Sequence, residues 1–313
     1  MLTFIVNPNS GGESGFSAWK KIERYITKKN VEFKVCITDC KGDAIRIARE
    51  ITEELPADAN AADNIIVPVG GDGTLNEVLN GICDMSKVTI GYIPVGTGND
   101  FARGAGLSKD PIEAVDAILA GDTVMNMDYG VAEITKNGER IKRRFVVSCG
   151  IGYDAAVCVA IDKSELRRKL AKIKKQKAVY TLLGAKEILV STRSKGFVVA
   201  DGVRRDYQSI VFISVQNQIT EGGGYRFTPD ADNTDGRLAV CAVDTSGKLA
   251  FAGTLIASMS AKHGTKKSVE LYDGVKIEIH TEKPLAFHTD GETHEYQTDV
   301  IVECIHQGLR LIV

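Results

Sequence analysis

Short apolar runs rich in β-branched residues alternate with stretches of helical period from residue 2 to about residue 118. That rhythm predicts an α/β domain on a mainly parallel sheet. TFIVN (3–7) reads as the first strand, 16–28 as a helix, FKVCIT (33–38) as a strand, 43–55 as a helix and IIVPV (65–69) as a central strand. PADANAADN (56–64) is a loop between them. Thr74, with Glu77 three residues on, has capping-box spacing and predicts a helix starting there. VTIGYIPV (88–95) follows as a strand, and Asp110-Pro111-Ile112-Glu113 opens a helix that Gly121 can close.

After residue 127 the pattern changes to short runs of valine, isoleucine and phenylalanine separated by glycine, asparagine and aspartate, which predicts an all-β sandwich or barrel. The clearest strands are 143–150, 195–202, 207–217, 236–244, 274–281 and 298–305, with one helical insertion at about 163–189. A chain of 313 residues fits two domains better than one. The boundary is expected near residue 127, and the final GLRLIV is expected to rejoin the first domain. The expected division is therefore 1–127 with about 306–313, and 128–305.

Composition narrows the class without naming a function. An apolar fraction of 43% and a charged fraction of 26% exclude disordered, collagen-like and coiled-coil chains. A net charge of -2 provides no global field for nucleic acid or an anionic membrane, so any such attraction must be local. The longest weakly polar run, LAFAGTLIASMSA (249–261), is shorter than the roughly 20 residues of a membrane-spanning helix. The N-terminus lacks the basic lead and apolar length of a signal peptide. Seven scattered cysteines without CxxC spacing read as reduced thiols rather than as disulfides or a zinc site. These features predict a soluble, cytoplasmic protein. No HExxH, Walker GxxxxGK[ST] or GxSxG motif is present.

The most informative segment is IIVPVGGDGTLNEVLNG, in which a buried strand runs through Gly70-Gly71-Asp72-Gly73-Thr74 into a helix. Glycines let backbone amides approach an anion, and a helix N-terminus adds partial positive charge. An aspartate there would repel phosphate, but it makes sense if it orients magnesium, water or a hydroxyl; the plainer reading is a tight turn with an Asx bond. Pro94-Val95-Gly96-Thr97-Gly98-Asn99-Asp100-Phe101 repeats the design, and Asn7-Pro8-Asn9-Ser10-Gly11-Gly12 supplies a third loop. In a parallel sheet all three emerge at carboxyl ends of strands, where ligands bind open α/β folds.

In order and spacing, NPNSGG, GGDGTLNEVLNG, PVGTGNDFARG, SCGIGYDA, GGGYRFTPDADNTDG and HTDGE resemble the diacylglycerol kinase and sphingosine kinase superfamily, in its small bacterial lipid-kinase branch. GGDGT is shared with NAD kinases and phosphofructokinases; GTGNDFAR with a late DGE is more specific. The resemblance implies an NAD-kinase- or phosphofructokinase-like α/β domain followed by a β-sandwich that serves lipid and magnesium, with the active site between them. It implies ATP along Gly71, Asp72, Gly73, Thr74, Leu75, Asn76 and Glu77, with Asn7, Thr38 and Thr97 lining it. It also implies a phospholipid-pathway transferase whose lipid alcohol acceptor is most readily diacylglycerol.

Asp230, Asp232 and Asp235 cluster hard oxygens that suit magnesium, although a solvated hairpin loop would look the same. By resemblance, a structural magnesium would take Asp232, Asp235 and the carbonyl of Arg237, leaving Asp230 outside. His288-Thr289-Asp290-Gly291-Glu292 reads as a type I or I′ hairpin turn. The resemblance makes Glu292 the general base, with Asp290 as second choice, and gives Asp72 and Asp100 the catalytic magnesium, water and substrate hydroxyl to organise. Phosphoryl transfer needs such a set: an in-line oxygen nucleophile, magnesium against the triphosphate charge, and a proton acceptor.

KSELRRKLAKIKKQK (163–177) carries eight basic residues, either a local surface for anionic headgroups or a solvated helix. Relatives often carry lysine after the first SG where this chain has Gly12; Lys177 is a candidate compensating charge. The alternatives are a kinase of a sphingoid base or phosphatidylglycerol, an NAD-kinase-like small-alcohol kinase, and a non-catalytic lipid- or nucleotide-binding regulator. Expected partners are a lipid substrate and, transiently, a membrane surface, with no nucleic acid and room for a homodimer.

Overall fold

The α/β rhythm of the first third becomes a parallel sheet with strands β1 (Leu2–Val6), β2 (Lys34–Ile37), β3 (Ile65–Gly70), β4 (Thr89–Ile90) and β5 (Ile93–Pro94). In the computed structural model, residues 1–12, 14–164 and 176–313 are described. The chain divides into unit 1, Met1–Tyr129 with His306–Val313, and unit 2, Gly130–Ile305. In unit 1, β1 pairs in parallel with both β2 and β3, and Leu311 near the C-terminus pairs in parallel with Ile90 of β4. β3 is almost entirely buried, as a strand covered on both faces must be. Helix α1 (Ser14–Lys28) presents Trp19, Ile22 and Ile26 to Phe4 and Val67, so its apolar spacing builds the core directly.

Two local expectations in unit 1 need correction. The strand expected over 88–95 is interrupted at Gly91-Tyr92, opposite Val67-Pro68 in the β3 register; Pro68 has no N–H to give the ladder. Helix α2 spans Asp43–Glu53, and helix α3 spans Asp72–Gly81, so α3 begins two residues before the expected Thr74. Gly71 is its N-cap, extended at φ -94° and ψ -174°, and its carbonyl accepts from the Thr74 and Leu75 amides. The capping box does not form: the Thr74 hydroxyl accepts from Asn7 Nδ2, the Glu77 carboxylate accepts from the Gly42 amide, and the Thr74 amide is bonded to the Gly71 carbonyl. After α4 (Asp100–Gly104), α5 (Pro111–Ala120) starts and stops as its sequence signals: Asp110 accepts from the Ile112 and Glu113 amides, and Gly121 closes at φ 64°.

Strand β6 (Val124–Lys136) leads into unit 2 and pairs with β7 (Glu139–Phe145). There follow β8 (Ser148–Gly152), α6 (Tyr153–Lys163), α7 (Gln176–Val190), β9 (Ser194–Ala200), β10 (Val203–Gln216), β11 (Leu238–Asp244), α8 (Lys248–Ser258), β12 (Val269–Gly274), β13 (Lys276–Leu285), β14 (Phe287–Thr289), β15 (Glu292–Thr293) and β16 (Gln297–Ile312). The strands are antiparallel: β10 joins β8, β9 and β11, and β13 bridges β9 and β16. Alternating residues such as Ile213, Val215, Ile277, Ile279, Val300 and Val302 fill one core. The fold is thus the expected α/β domain with a mainly parallel sheet followed by a β-sandwich.

The helical insertion expected at 163–189 differs from the structure. One helix, α6, starts at Tyr153 and a second, α7, ends at Val190. Residues 165–175, most of the basic stretch, and the side chain of Lys177 lie outside the described residues. The run expected over 143–150 is also two strands, parted at Val146-Val147.

Candidate active site

In unit 1 the three glycine loops meet. A β-carbon on Gly96 would sit 2.5 Å from the Gly71 α-carbon, and one on Gly71 would lie 3.5 Å from the Ser10 hydroxyl. The first and second loops are tied by Asn7, whose Nδ2 donates to Thr74 Oγ1 at 3.0 Å. Gly70 likewise has no room for a side chain, because Thr74 Oγ1 would lie 2.4 Å from its β-carbon. At Gly71 and Gly96 glycine is required by close approach of backbone to backbone, the property that lets amides reach an anion.

The carboxylates are placed around this junction. Asp72 accepts from the amides of Asp100 and Phe101, both at 3.1 Å, and so caps the short α4 from another loop. Asp100 forms an ion pair with Arg103, whose other nitrogen donates to the Gly98 carbonyl at 2.9 Å. Gly98 lies against both acids: its β-carbon would be 3.2 Å from Asp72 Oδ2 and 3.9 Å from Asp100 Oδ2. Asn99 takes the left-handed conformation at φ 51° and donates to the Gly96 carbonyl, closing the loop. Beneath lies Tyr92, whose hydroxyl donates to the Gly70 carbonyl; burial, then the charges of Asp72 and Asp100, push its pKa well above the ordinary value.

The other nucleotide candidates vary in what they offer. Thr97 is exposed. Thr38 is buried, with its hydroxyl on the Val6 carbonyl. Leu75 and Asn76 point into the core, and Glu77 accepts from the Gly42 amide at 2.9 Å, bracing the start of α2. Side-chain contact from Leu75 or Asn76 is therefore not available on the exposed side of α3.

In unit 2, Glu292 is half-buried on β15, facing Thr289 across a two-residue turn. Asp290 and Gly291 have φ 49° and 81°, the signature of a type I′ turn. Asp290 accepts from the amides of Val146, Val147 and Ser148, with its closest oxygens at 2.8 to 3.1 Å. That explains the break between β7 and β8, and it gives Asp290 a clamping task in place of the second-choice base role. His288 holds the turn from within: its Nδ1 accepts from the Gly291 amide at 3.1 Å, and its Nε2 faces Asp154 Oδ2 at 3.2 Å. Gly150 permits this contact, since a β-carbon there would lie 1.8 Å from Asp154 Oδ2. Burial lowers the His288 pKa, but Asp154's hydrogen bond and charge, with Glu221 and Asp290, carry it above the ordinary value. The Gly291 amide opposes that proton, because an imidazolium has no lone pair at Nδ1, and the hydrogen-bond geometry is that of the neutral ring.

The aspartate loop between β10 and β11 makes two short side-chain turns: Asp232 Oδ1 accepts from the Thr234 amide and hydroxyl, and Asp235 Oδ1 from the Arg237 amide at 2.8 Å. Among the described residues no three His, Cys, Asp or Glu side chains converge on a metal position. Two carboxylates and a carbonyl need no such triad, so the donor set still fits a hard cation.

Sequence reasoning did not single out Tyr92, Arg103, Asp154 or His288. Arg103 was legible in principle, three residues after Asp100 on one helix turn. The Asp154–His288 pair was not, because its partners stand 134 residues apart.

A glycine-loop α/β unit bearing strand-end carboxylates, followed by a β-sandwich, is the architecture of the diacylglycerol kinase and NAD kinase class of phosphotransferases. Residues 1–132 match the family described as "Diacylglycerol kinase catalytic domain", and residues 146–313 match the "YegS C-terminal NAD kinase beta sandwich-like domain". The chain belongs to the diacylglycerol kinase-like family of lipid kinases. YtlR of Bacillus subtilis, provisionally named a lipid kinase, is 28% identical over 92% of each chain. A Bacillus subtilis diacylglycerol kinase is 26% identical, over 92% of this chain and 88% of the relative. A solved diacylglycerol kinase from Bacillus anthracis superposes with a TM-score of 0.74 at 25% identity, covering 99% of this chain and 96% of the other. Yeast NADH kinase shares the fold at a TM-score of 0.53 and 9% identity, covering 99% and 82%.

Proposed function

We propose that this protein transfers the γ-phosphate of ATP to the hydroxyl of a lipid alcohol, converting diacylglycerol to phosphatidic acid. The observation that carries the reading is the junction of Gly71 and Gly96, which brings two amide-rich loops, the N-terminus of α3 and the carboxylates of Asp72 and Asp100 to one place. Amides at a helix N-terminus and in glycine turns favour polyphosphate. Asp72 holds the Gly96–Asp100 loop in position, and Asp100, steadied by Arg103, faces the same ground. Magnesium, when bound with the nucleotide, would neutralise phosphate charge, and Asp72 and Asp100 are the residues to hold it or its waters. Glu292 accepts the proton of the attacking hydroxyl, on a turn fixed by Asp290 and His288. The Asp232–Asp235 loop, with the Arg237 carbonyl, holds a structural magnesium. The protein works at the cytoplasmic face of a membrane.

The test is incubation of the purified protein with labelled ATP, magnesium and mixed micelles carrying a panel of lipid alcohols, with NAD as a separate acceptor. Phosphatidic acid that forms with the parent, and falls at least about a hundredfold in Glu292→Gln, supports the assignment. Phosphorylation of another lipid changes the acceptor. Phosphorylation of NAD alone overturns the lipid reading.

A further inference from the structure

Residues 249–261, the longest weakly polar stretch of the sequence, take no part in the proposed chemistry. Most of them form α8, which is apolar on opposite sides. Phe251 and Leu255 face inward against Tyr153 and Phe212. On the other side Leu249, Ile256 and Met259 are 90%, 72% and 61% exposed. Steps of seven and three residues place these three on one face of the helix. α7 packs beside α8 and leaves Leu182, Leu189 and Val190 exposed as well. Large apolar side chains aligned on one helix face and left in water mark an interaction site.

The charges around the stripe indicate its occupant. Between Asp244 and Glu270 the chain carries Lys248, Lys262, Lys266 and Lys267 and no acidic residue. None of these four ammonium groups pairs with a carboxylate among the described residues. The Lys266 ammonium lies along the helix: a β-carbon on Gly253, between Leu249 and Ile256, would be 3.7 Å from its Nζ. We propose that α8 and the lysine-bearing turn after it dock onto an anionic phospholipid bilayer. An apolar helix face fringed by cations is the composition that settles at such an interface, the side chains entering the acyl boundary and the lysines meeting the headgroups. With 11 residues, α8 would lie in the surface, and among the described residues no helix is long and apolar enough to cross a membrane. A second copy is the poorer partner, because a two-fold contact on this face would set lysine against lysine.

The inference rests on the lipid-kinase reading for its purpose, access to a membrane-resident alcohol, but not for its measurement. The full chain is sedimented with vesicles of phosphatidylcholine alone or mixed with phosphatidylglycerol. Binding is expected only to the anionic vesicles and is expected to weaken with salt. The double variant Leu249→Ser, Ile256→Ser should bind at least about tenfold less, and Lys266→Gln, Lys267→Gln about tenfold less. Both should melt like the parent, since the altered groups face solvent. Both should phosphorylate a monomeric short-chain diacylglycerol at the parent rate. Unchanged vesicle binding in the variants overturns the docking face, as does a dimer of the parent that dissociates in the Leu249→Ser, Ile256→Ser variant. Lost binding in the variants of a protein that phosphorylates no lipid keeps the docking face and removes the kinase reading.

Discussion

At Gly96 a β-carbon has nowhere to go, since the Gly71 α-carbon and Asn99 Oδ1 would lie 2.5 and 2.8 Å away. Gly96→Ala must push two loops apart, and forced overpacking of this kind costs about 1–3 kcal/mol. We expect the variant to lose binding of a fluorescent ATP analogue and to melt below the parent, whereas Gly12→Ala, which meets nothing within 4 Å but sits at φ 70°, should keep binding. Binding of the analogue to Gly96→Ala at parent affinity would show that the loop junction does not hold nucleotide. Among the acids, Asp72 and Glu292 differ as probes. Removing Asp72 unpairs two amides of α4 and disturbs structure with chemistry. Glu292→Gln changes the charge of a half-buried side chain with little change in shape, so it is the cleaner test of a base.

Elements in unit 2 are fastened by carboxylates that accept backbone amides, and at Asp201 this makes stability dependent on pH. Asp201, in the β9–β10 turn, accepts from the amides of Val275, between β12 and β13, and of Lys276, which opens β13, and pairs with Arg237. The Lys276 amide, partly offset by burial, then the Val275 amide and Arg237, hold its carboxyl below the ordinary value. A lowered pKa favours the folded state wherever the unfolded carboxyl would be charged, so this contribution is complete above about pH 4 and fades as acid protonates the folded form. Asp201→Asn suits the left-handed backbone at φ 48° and should be less stable than the parent at pH 7. The difference should shrink below about pH 4 in chemical denaturation. A difference independent of pH would remove the carboxylate from the account. Elements were also where sequence reading erred most. The start of α3 moved because Gly71 backbone outcompeted a threonine cap, and the strand over 143–150 broke because Asp290, far along the chain, collects its amides.

On the scale of the whole molecule, a bound cation stabilises whatever fold presents its ligands. If Asp232 and Asp235 hold magnesium, the parent should melt higher with magnesium than with chelator, and Asp235→Ala should lose that difference. Equal melting curves for the parent under both conditions would count against the site. The same scale explains the exposed stripe of α8: its inner face completes the Tyr153, Phe212 and Phe251 cluster, and no described element covers its outer face.

The glycine loops, the order of strands and helices in unit 1 and the change to β structure after residue 127 were legible because each is written in consecutive residues, as turn chemistry, periodicity or motif. Capping chemistry also gave α5 its two ends through Asp110 and Gly121. Only the tertiary structure decided which carboxylates are committed to amides, since Asp72 with Phe101, Asp290 with Val146 and His288 with Asp154 meet across 29, 144 and 134 residues. It likewise decided which side of the weakly polar helix α8 stays in water. Local pattern specifies an element and its faces; the partner of a buried polar group, or the vacancy beside an apolar one, exists only once distant segments have packed.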